Sequence, residues 1–247
     1  MRRFASCALL SCAIACSPQR AEPAEHRDGW QPLFDGRSLA GWHVSARSGH
    51  SATSAHRSGG RWRVEEGAIA GSQDQPGNGG LLLTDRKDFG DLELAVEMRN
   101  DFGPDSGLFL RATEEGVAYQ AHVDYHADGT LMGLYGEGMA RGFNHYAFRF
   151  LDAPDRIVAE ASAGQRVIEP TRWAEIWRAG AWNELRVRIA GQPPRITTWI
   201  GNAQIVDWQD PEVRHPARGA IGLQLHGGGD FTGTSVRYRA IRWRPLL

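Results

Sequence analysis

Leu92, Leu94, Val96 and Met98 alternate with Glu93, Ala95, Glu97 and Arg99, a period of two that fits a strand with one apolar face and does not fit an amphipathic helix. The pattern recurs down the chain. Leu108 and Leu110 alternate with Phe109 and Arg111, and Tyr119, Ala121 and Val123 with Gln120, His122 and Asp124. Leu185, Val187 and Ile189 alternate with Arg186 and Arg188, and Ile221, Leu223 and Leu225 with Gln224 and His226. Between these runs the punctuation is glycine, 30 in all, clustered at Gly77–Gly80 and Gly227–Gly229. Helical periodicity is confined to a short stretch from Thr171 to Arg178, so the spacing predicts an all-β chain of two stacked antiparallel sheets. No internal repeat or second core is visible, and one domain is expected over residues 29–247. Residues 45–60 are Ser, Gly, His, Ala and Arg with little apolar content and read as a long surface loop.

Charge and cysteine content narrow the function. The 28 Lys and Arg against 29 Asp and Glu leave a net charge of −1. Lys87 is the only lysine, and the arginines are scattered among acids along the chain. Binding nucleic acid needs a local excess of cations, so no nucleic-acid partner is expected. Cys7, Cys12 and Cys16 are the only cysteines, so the body from residue 29 has no disulfide, thiolate metal site or cysteine nucleophile. Gly77-Asn-Gly-Gly80 lacks the lysine of a phosphate loop, and no Gly-x-Ser-x-Gly elbow occurs.

The first residues have the outline of a signal peptide: Arg2 and Arg3, an apolar and small run from Phe4 to Ala15, then Cys16. The apolar run is too short to span a membrane, and no later run has that length. Ala13-Ile14-Ala15-Cys16 resembles the lipobox of bacterial lipoproteins, which implies Cys16 as the lipid anchor. Leu9-Leu10-Ser11-Cys12 is an alternative, and a plain secretory signal is another. The expectation is a signal peptide at 1–16, a flexible Pro, Ala and Glu-rich tether at 17–28, and export as a lipoprotein with a membrane partner. Ser17, where retention would favour aspartate, fits the cell envelope, at the periplasmic face of the outer membrane or the cell surface.

Several segments, in order, resemble one family. Trp30-Gln-Pro-Leu-Phe-Asp-Gly36 with Leu39-Ala-Gly-Trp42, Trp62-Arg-Val-Glu-Glu-Gly67, Asp88 to Arg99 and Ser106-Gly-Leu-Phe-Leu-Arg111 are similar to motifs of the bacterial 3-keto-disaccharide hydrolases. Gly133-Leu134-Tyr135-Gly136, Trp182-Asn183-Glu184, Gly222 to Gly227 and Val236-Arg-Tyr-Arg239 extend the resemblance over nearly the whole body. It implies a concanavalin-like jelly-roll sandwich whose concave sheet holds a saccharide or glycoside. One departure is chemical. Where the family has tyrosine, Glu, an apolar residue and Gln, this chain has Tyr119-Gln120-Ala121-His122.

A glycoside oxidised at C3 has an acidic C2 proton, so cleavage by elimination and hydration needs a base, an acid and a donor to the enolate oxygen. His122 and His226 are the candidate base and acid, with an ordinary imidazole pKa of about 6.5. Glu97 is the third catalytic candidate, and Asp124 could serve with it or orient a histidine. Arg99, Arg111, Gln120, Asp124, Tyr135 and Gln224 are the substrate-binding candidates, since guanidinium forks and amides bind paired hydroxyls. Glu97 and Arg99 also fit a bland reading as cross-strand ion pairs. Glu93 and Glu97 on one strand face are about 13 Å apart, too far for ordinary glycosidase carboxylates. The residues fix no cofactor, and His122 and His126 flanking Asp124 admit a divalent metal such as calcium. His50, His56 and His145 are read as solvated loop residues, and most of the nine tryptophans as packing. The alternative functions are a non-catalytic carbohydrate-binding module and a structural envelope protein.

Overall fold

The computed structural model describes residues 29–99, 102–152, 156–162, 165 and 167–246. The signal peptide, Cys16 and the tether expected at 17–28 lie outside the described residues. In chain order the strands begin with β1 (Gln31–Pro32), β2 (Trp42–Ser45), β3 (Arg61–Glu65), β4 (Ala68–Ser72), β5 (Gly80–Thr84) and β6 (Leu92–Arg99). They continue with β7 (Ser106–Ala112), β8 (Ala118–Val123), β9 (Leu131–Glu137), β10 (Asn144–His145), β11 (Arg149–Phe150) and β12 (Ile157–Val158). The last are β13 (Trp182–Gly191), β14 (Pro194–Ile200), β15 (Ala203–Gln209), β16 (Ala220–Leu225) and β17 (Val236–Pro245). The expected helix near residue 173 is α1 (Trp173–Ile176), preceded by a 3-10 turn at Pro170–Arg172.

One sheet runs β15-β14-β13-β6-β17-β4-β3, with β1 added on β17, and the other runs β10-β9-β8-β7-β16-β5-β2. Neighbours far apart in sequence, such as β6 with β17 and β7 with β16, give the crossovers of a jelly roll. The fold is a concanavalin-like β-sandwich of two antiparallel sheets. The alternating apolar residues meet between them: Leu92, Leu94, Val96 and Met98 from β6 pack in the same core as Leu108, Leu110, Tyr119, Ala121, Leu223 and Leu225. Both sheets and this core are built within residues 29–246, and among the described residues no helix is long and apolar enough to cross a membrane.

The second face of the β7 sheet departs from the half-solvated strand expected from alternation. Leu81, Leu83, Phe109, Ala112, Ala118 and Ala220 form a small buried cluster there. Part of its cover is the segment read as a surface loop, which carries a 3-10 helix at Gly49–Ser54 with Ser48, Ser51 and Ser54 buried. This strap is held by backbone contact. Gly79 donates its N–H to the His50 carbonyl at 2.8 Å, Ser51 Oγ donates to the Gly79 carbonyl at 2.9 Å, and Thr53 Oγ1 to the Gly77 carbonyl at 3.0 Å. A Cβ on Gly79 would stand 2.0 Å from the Leu225 carbonyl oxygen, so only glycine lets this segment pass so close to the end of β16.

Arg111 is a correction. A bulge between Ala220 and Gly222, with Arg111 itself at φ 55°, turns the side chain out of the strand alternation. The guanidinium is buried and donates to Asp91 Oδ1 at 2.9 Å, the Gly191 carbonyl at 3.1 Å and Gln192 Oε1 at 3.2 Å. It clips the two sheets together and is withdrawn from any saccharide.

The outer face of the other sheet gathers arginines that are scattered in sequence. Register places Arg61 and Arg63 of β3, Arg99 of β6, Arg186 and Arg188 of β13, Arg195 of β14 and four arginines of β17 on it. Those four are Arg237, Arg239, Arg242 and Arg244, kept on one face because a bulge between Arg239 and Arg242 absorbs the odd residue. The carboxylates of this face are Glu65, Glu93, Glu97, Glu184 and Asp207.

Arg111→Leu is expected to lower unfolding stability in urea by about 2 kcal/mol, since it removes three charge-assisted hydrogen bonds that tie β7 to the other sheet. Arg111→Lys should recover little of that loss, because one ammonium cannot span three acceptors.

Candidate functional site

On the outer face of the β7 sheet, the one the family resemblance implies is concave, the floor is a pair of amides. Gln120 of β8 and Gln224 of β16 flank Gly107 of β7, where a Cβ would stand 2.2 Å from Gln120 Nε2. With no side chain there, Gln120 lies across β7 and donates from Nε2 to Gln224 Oε1 at 2.9 Å. Gln224 Nε2 lies 2.8 Å from His50 Nε2, so the amide chain ends on the strap. On the core side Ser106 donates its hydroxyl to the Gln224 carbonyl and meets the Tyr238 hydroxyl at 2.8 Å, fixing β16 beneath the site.

Imidazoles and carboxyls ring this floor. His226, just beyond β16, lies 4.8 Å ring to ring from His50, and its Nε2 is 3.9 Å from Asp105 Oδ2. Glu137 of β9 places Oε1 3.8 Å from His50 Nε2. His122 of β8 lies 5.6 Å ring to ring from Tyr135, which stands exposed at the rim. Asp124 Oδ1 accepts from the His126 backbone N–H at 3.0 Å and lies 2.9 Å from its Nδ1. Two buried atoms, His122 Nε2 and Asp105 Oδ1, have no hydrogen-bond partner among the described residues, and such atoms are the ones a ligand can satisfy.

Desolvation sets the charge states. Burial lowers the His122 pKa to about 4 against the opposing pull of Asp124. Burial, then the charge of His226, lowers His50 to about 4. His226 is lowered by burial too. Asp105 is raised well above the ordinary carboxylate range by burial and then by Asp124, and burial raises Glu137. The site therefore sets neutral imidazoles beside carboxyls that hold their protons to unusually high pH, the separation that general acid–base chemistry uses.

Six residues named from sequence meet on this face: Gln120, His122, Asp124, Tyr135, Gln224 and His226. Glu97 and Arg99 do not. They lie on the outer face of the other sheet, where Glu97 accepts from Arg239 Nε at 2.7 Å and Arg99 stacks over Trp182 at 5.4 Å. Period-two alternation assigns a residue to a face of its own strand and cannot say which sheet the strand joins. Among the described residues no group of three or more His, Cys, Asp or Glu could hold a metal ion, so the divalent-ion reading of His122, Asp124 and His126 finds no ligand set there.

His50, Asp105 and Glu137 are missed by sequence reasoning. Glu137 follows Tyr135 at the alternate position and could have been found by extending the β9 pattern. Asp105 immediately precedes the Ser106-Gly107 segment. His50 carries no local signal and is a correction to the solvated reading, its side chain being only 11% exposed. Gly227 serves this strap, since a Cβ there would stand 2.7 Å from the His50 carbonyl oxygen.

Solved structures share the architecture. A protein of Parabacteroides distasonis described as a candidate glycosyl hydrolase superposes with a TM-score of 0.53 at 16% identity, over 89% of this chain and 95% of its own. The carbohydrate-binding module CBM66 of Bacillus subtilis gives 0.51 at 12% identity, over 83% and 95%. The Crh5 transglycosylase gives 0.51 at 12%, over 89% and 85%. At these identities the likeness is one of fold. No curated protein matches the chain as a relative. Residues 29–244, the whole of the sandwich that carries this His, Asp and Gln group, match the family model of the 3-keto-alpha-glucoside-1,2-lyase-like domain, and the chain belongs to that family.

Proposed function

We propose that this protein cleaves glycosides oxidised at C3, by removal of the C2 proton, elimination of the C1 substituent and addition of water to the unsaturated sugar. The observation that carries this reading is the pair of unsatisfied buried atoms, Nε2 of a neutral imidazole and Oδ1 of a carboxyl whose proton affinity burial raises, on one concave face. In the proposed step His122 accepts the C2 proton. Electrons flow into the C3 carbonyl, whose oxygen is met by an amide N–H of Gln120 or Gln224, and then out through the C1–O bond. Asp105, beside His226, gives its proton to the leaving oxygen. Water adds across the double bond, with its hydroxyl on C1 and a proton returned to C2, and the acid and base exchange roles. Tyr135 at the rim supplies a ring face for the sugar's C–H side. We place the enzyme at the cell envelope, at the periplasmic face of the outer membrane or the cell surface, with Cys16 as its lipid anchor.

A binding module is the competing reading. It is favoured by the Gln120 to Gln224 hydrogen bond, which puts amides at the floor. Incubation with 3-keto-trehalose and with trehalose separates the two. Glucose is expected from the keto sugar alone, with His122→Ala lowering kcat by about 10²- to 10⁴-fold and Glu97→Gln leaving it close to wild type. Saturable binding of either sugar without turnover would establish the module instead.

The pH profile follows from the shifts. On the acid side kcat/KM should fall as pH drops through about 4, where His122 gains a proton and ceases to be a base. On the alkaline side it should fall as Asp105 ionises, well above the ordinary carboxylate range, and Asp105→Asn should abolish that limb. An acid limb centred near the ordinary imidazole value of about 6.5 would instead assign the base to an exposed histidine. For the anchor, metabolic labelling with radioactive palmitate should mark the wild-type chain and not Cys16→Ala.

A further inference from the structure

The arginine-bearing outer face of the β6 sheet has no part in the concave site, and its charge is strongly unbalanced. Ten arginines share it with five carboxylates, an excess of five positive charges in a chain whose net charge is −1. The carboxylates are already engaged from within the face: Arg239 holds Glu97 at 2.7 Å, Arg195 holds Asp207 at 2.7 Å, and Arg244 holds Glu93. Indoles lie beneath the guanidinium groups. Arg244 stacks over Trp30 at 4.8 Å, Arg239 over Trp182 at 4.2 Å and Arg186 over Trp199 at 4.3 Å. Stacking by the plane leaves the N–H edges for oxyanions, which Arg239 and Arg244 give in part to Glu97 and Glu93.

We infer that this face docks on an anionic bilayer surface through lipid phosphates, leaving the concave site turned away from the membrane. The charges extend in two dimensions, from β14 across to β3, a span of about 24 Å at the usual strand spacing. That spread matches a plane of head groups better than the single track a polysaccharide chain follows. Arginine with tryptophan is also the composition suited to the membrane–water boundary. The chain enters the domain on this same face, where Trp30 lies under Arg244 and β1 pairs with β17. The twelve residues from 17 to 28 could span at most about 40 Å, so a lipid on Cys16 would keep the face within reach of its bilayer.

The test uses the soluble form, residues 22–247, so that acylation contributes nothing. Co-sedimentation is measured with vesicles of phosphatidylcholine alone and of phosphatidylcholine mixed with phosphatidylglycerol, at low and high salt. Binding is expected only to the mixed vesicles, reversed by salt, and weakened about a hundredfold in Arg61→Gln, Arg188→Gln, Arg195→Gln combined. These three side chains are exposed, and an unchanged thermal transition would show the variant folded. Equal binding to both vesicle types, or to neither, overturns the proposal. Binding to heparin or alginate but to no vesicle also overturns it, in favour of an acidic polysaccharide. None of these outcomes depends on turnover at the concave face.

Discussion

The seating of residues 48–58 on the backbone of residues 77–80 and 226–228 is the contact on which the rest of the site depends. It works because glycine stands at 227, where a Cβ would collide with the His50 carbonyl oxygen, and at 79, where one would collide with the Leu225 carbonyl oxygen at the end of β16. Without this approach His50 would not reach Gln224, and the concave face of β5, β7 and β16 would lie open to water. The strap thus turns an ordinary sheet surface into a partly dry one.

Dryness then sets the chemistry. An imidazole on an open strand titrates near its usual value, and so does a carboxyl. On this face the same burial moves them in opposite directions, His122 and His50 down to about 4 and Asp105 up. The charged form of either is the one that loses by leaving water, which explains why one environment can provide both a proton acceptor and a proton donor. The carboxyls reinforce this, since Asp124 and Glu137 both disfavour ionisation of Asp105.

The two sheets divide the electrostatics between them. One carries half-buried imidazoles and carboxyls around buried amides on its concave side, and the other carries guanidinium groups stacked on indoles over its outer side. The bulge in β17 is what concentrates the charge, because without it Arg242 and Arg244 would face the core while Ile241 and Trp243 faced water. The bulge at Arg111 acts in the opposite sense and takes an arginine out of reach of a ligand to close the sandwich.

What the amino-acid order determined alone was the period. Strands β6, β7, β8, β13 and β16, their core residues and the short helix at Trp173 follow from local alternation and glycine punctuation, because side-chain direction in a strand depends only on position along it. That rule also brought Gln120, His122, Gln224 and His226 to one face, and the ordered motifs pointed to the family. Which sheet a strand enters is a matter of pairing between distant segments. Glu97 and Arg99 therefore looked like partners of His122 and proved to lie on the far side of the molecule. His50 came to the site through a backbone contact between segments some 30 and 180 residues away from it, a relation with no local periodicity to announce it. The shifted proton affinities likewise belong to tertiary structure alone, since they arise from exclusion of water that only the assembled sheet and strap achieve.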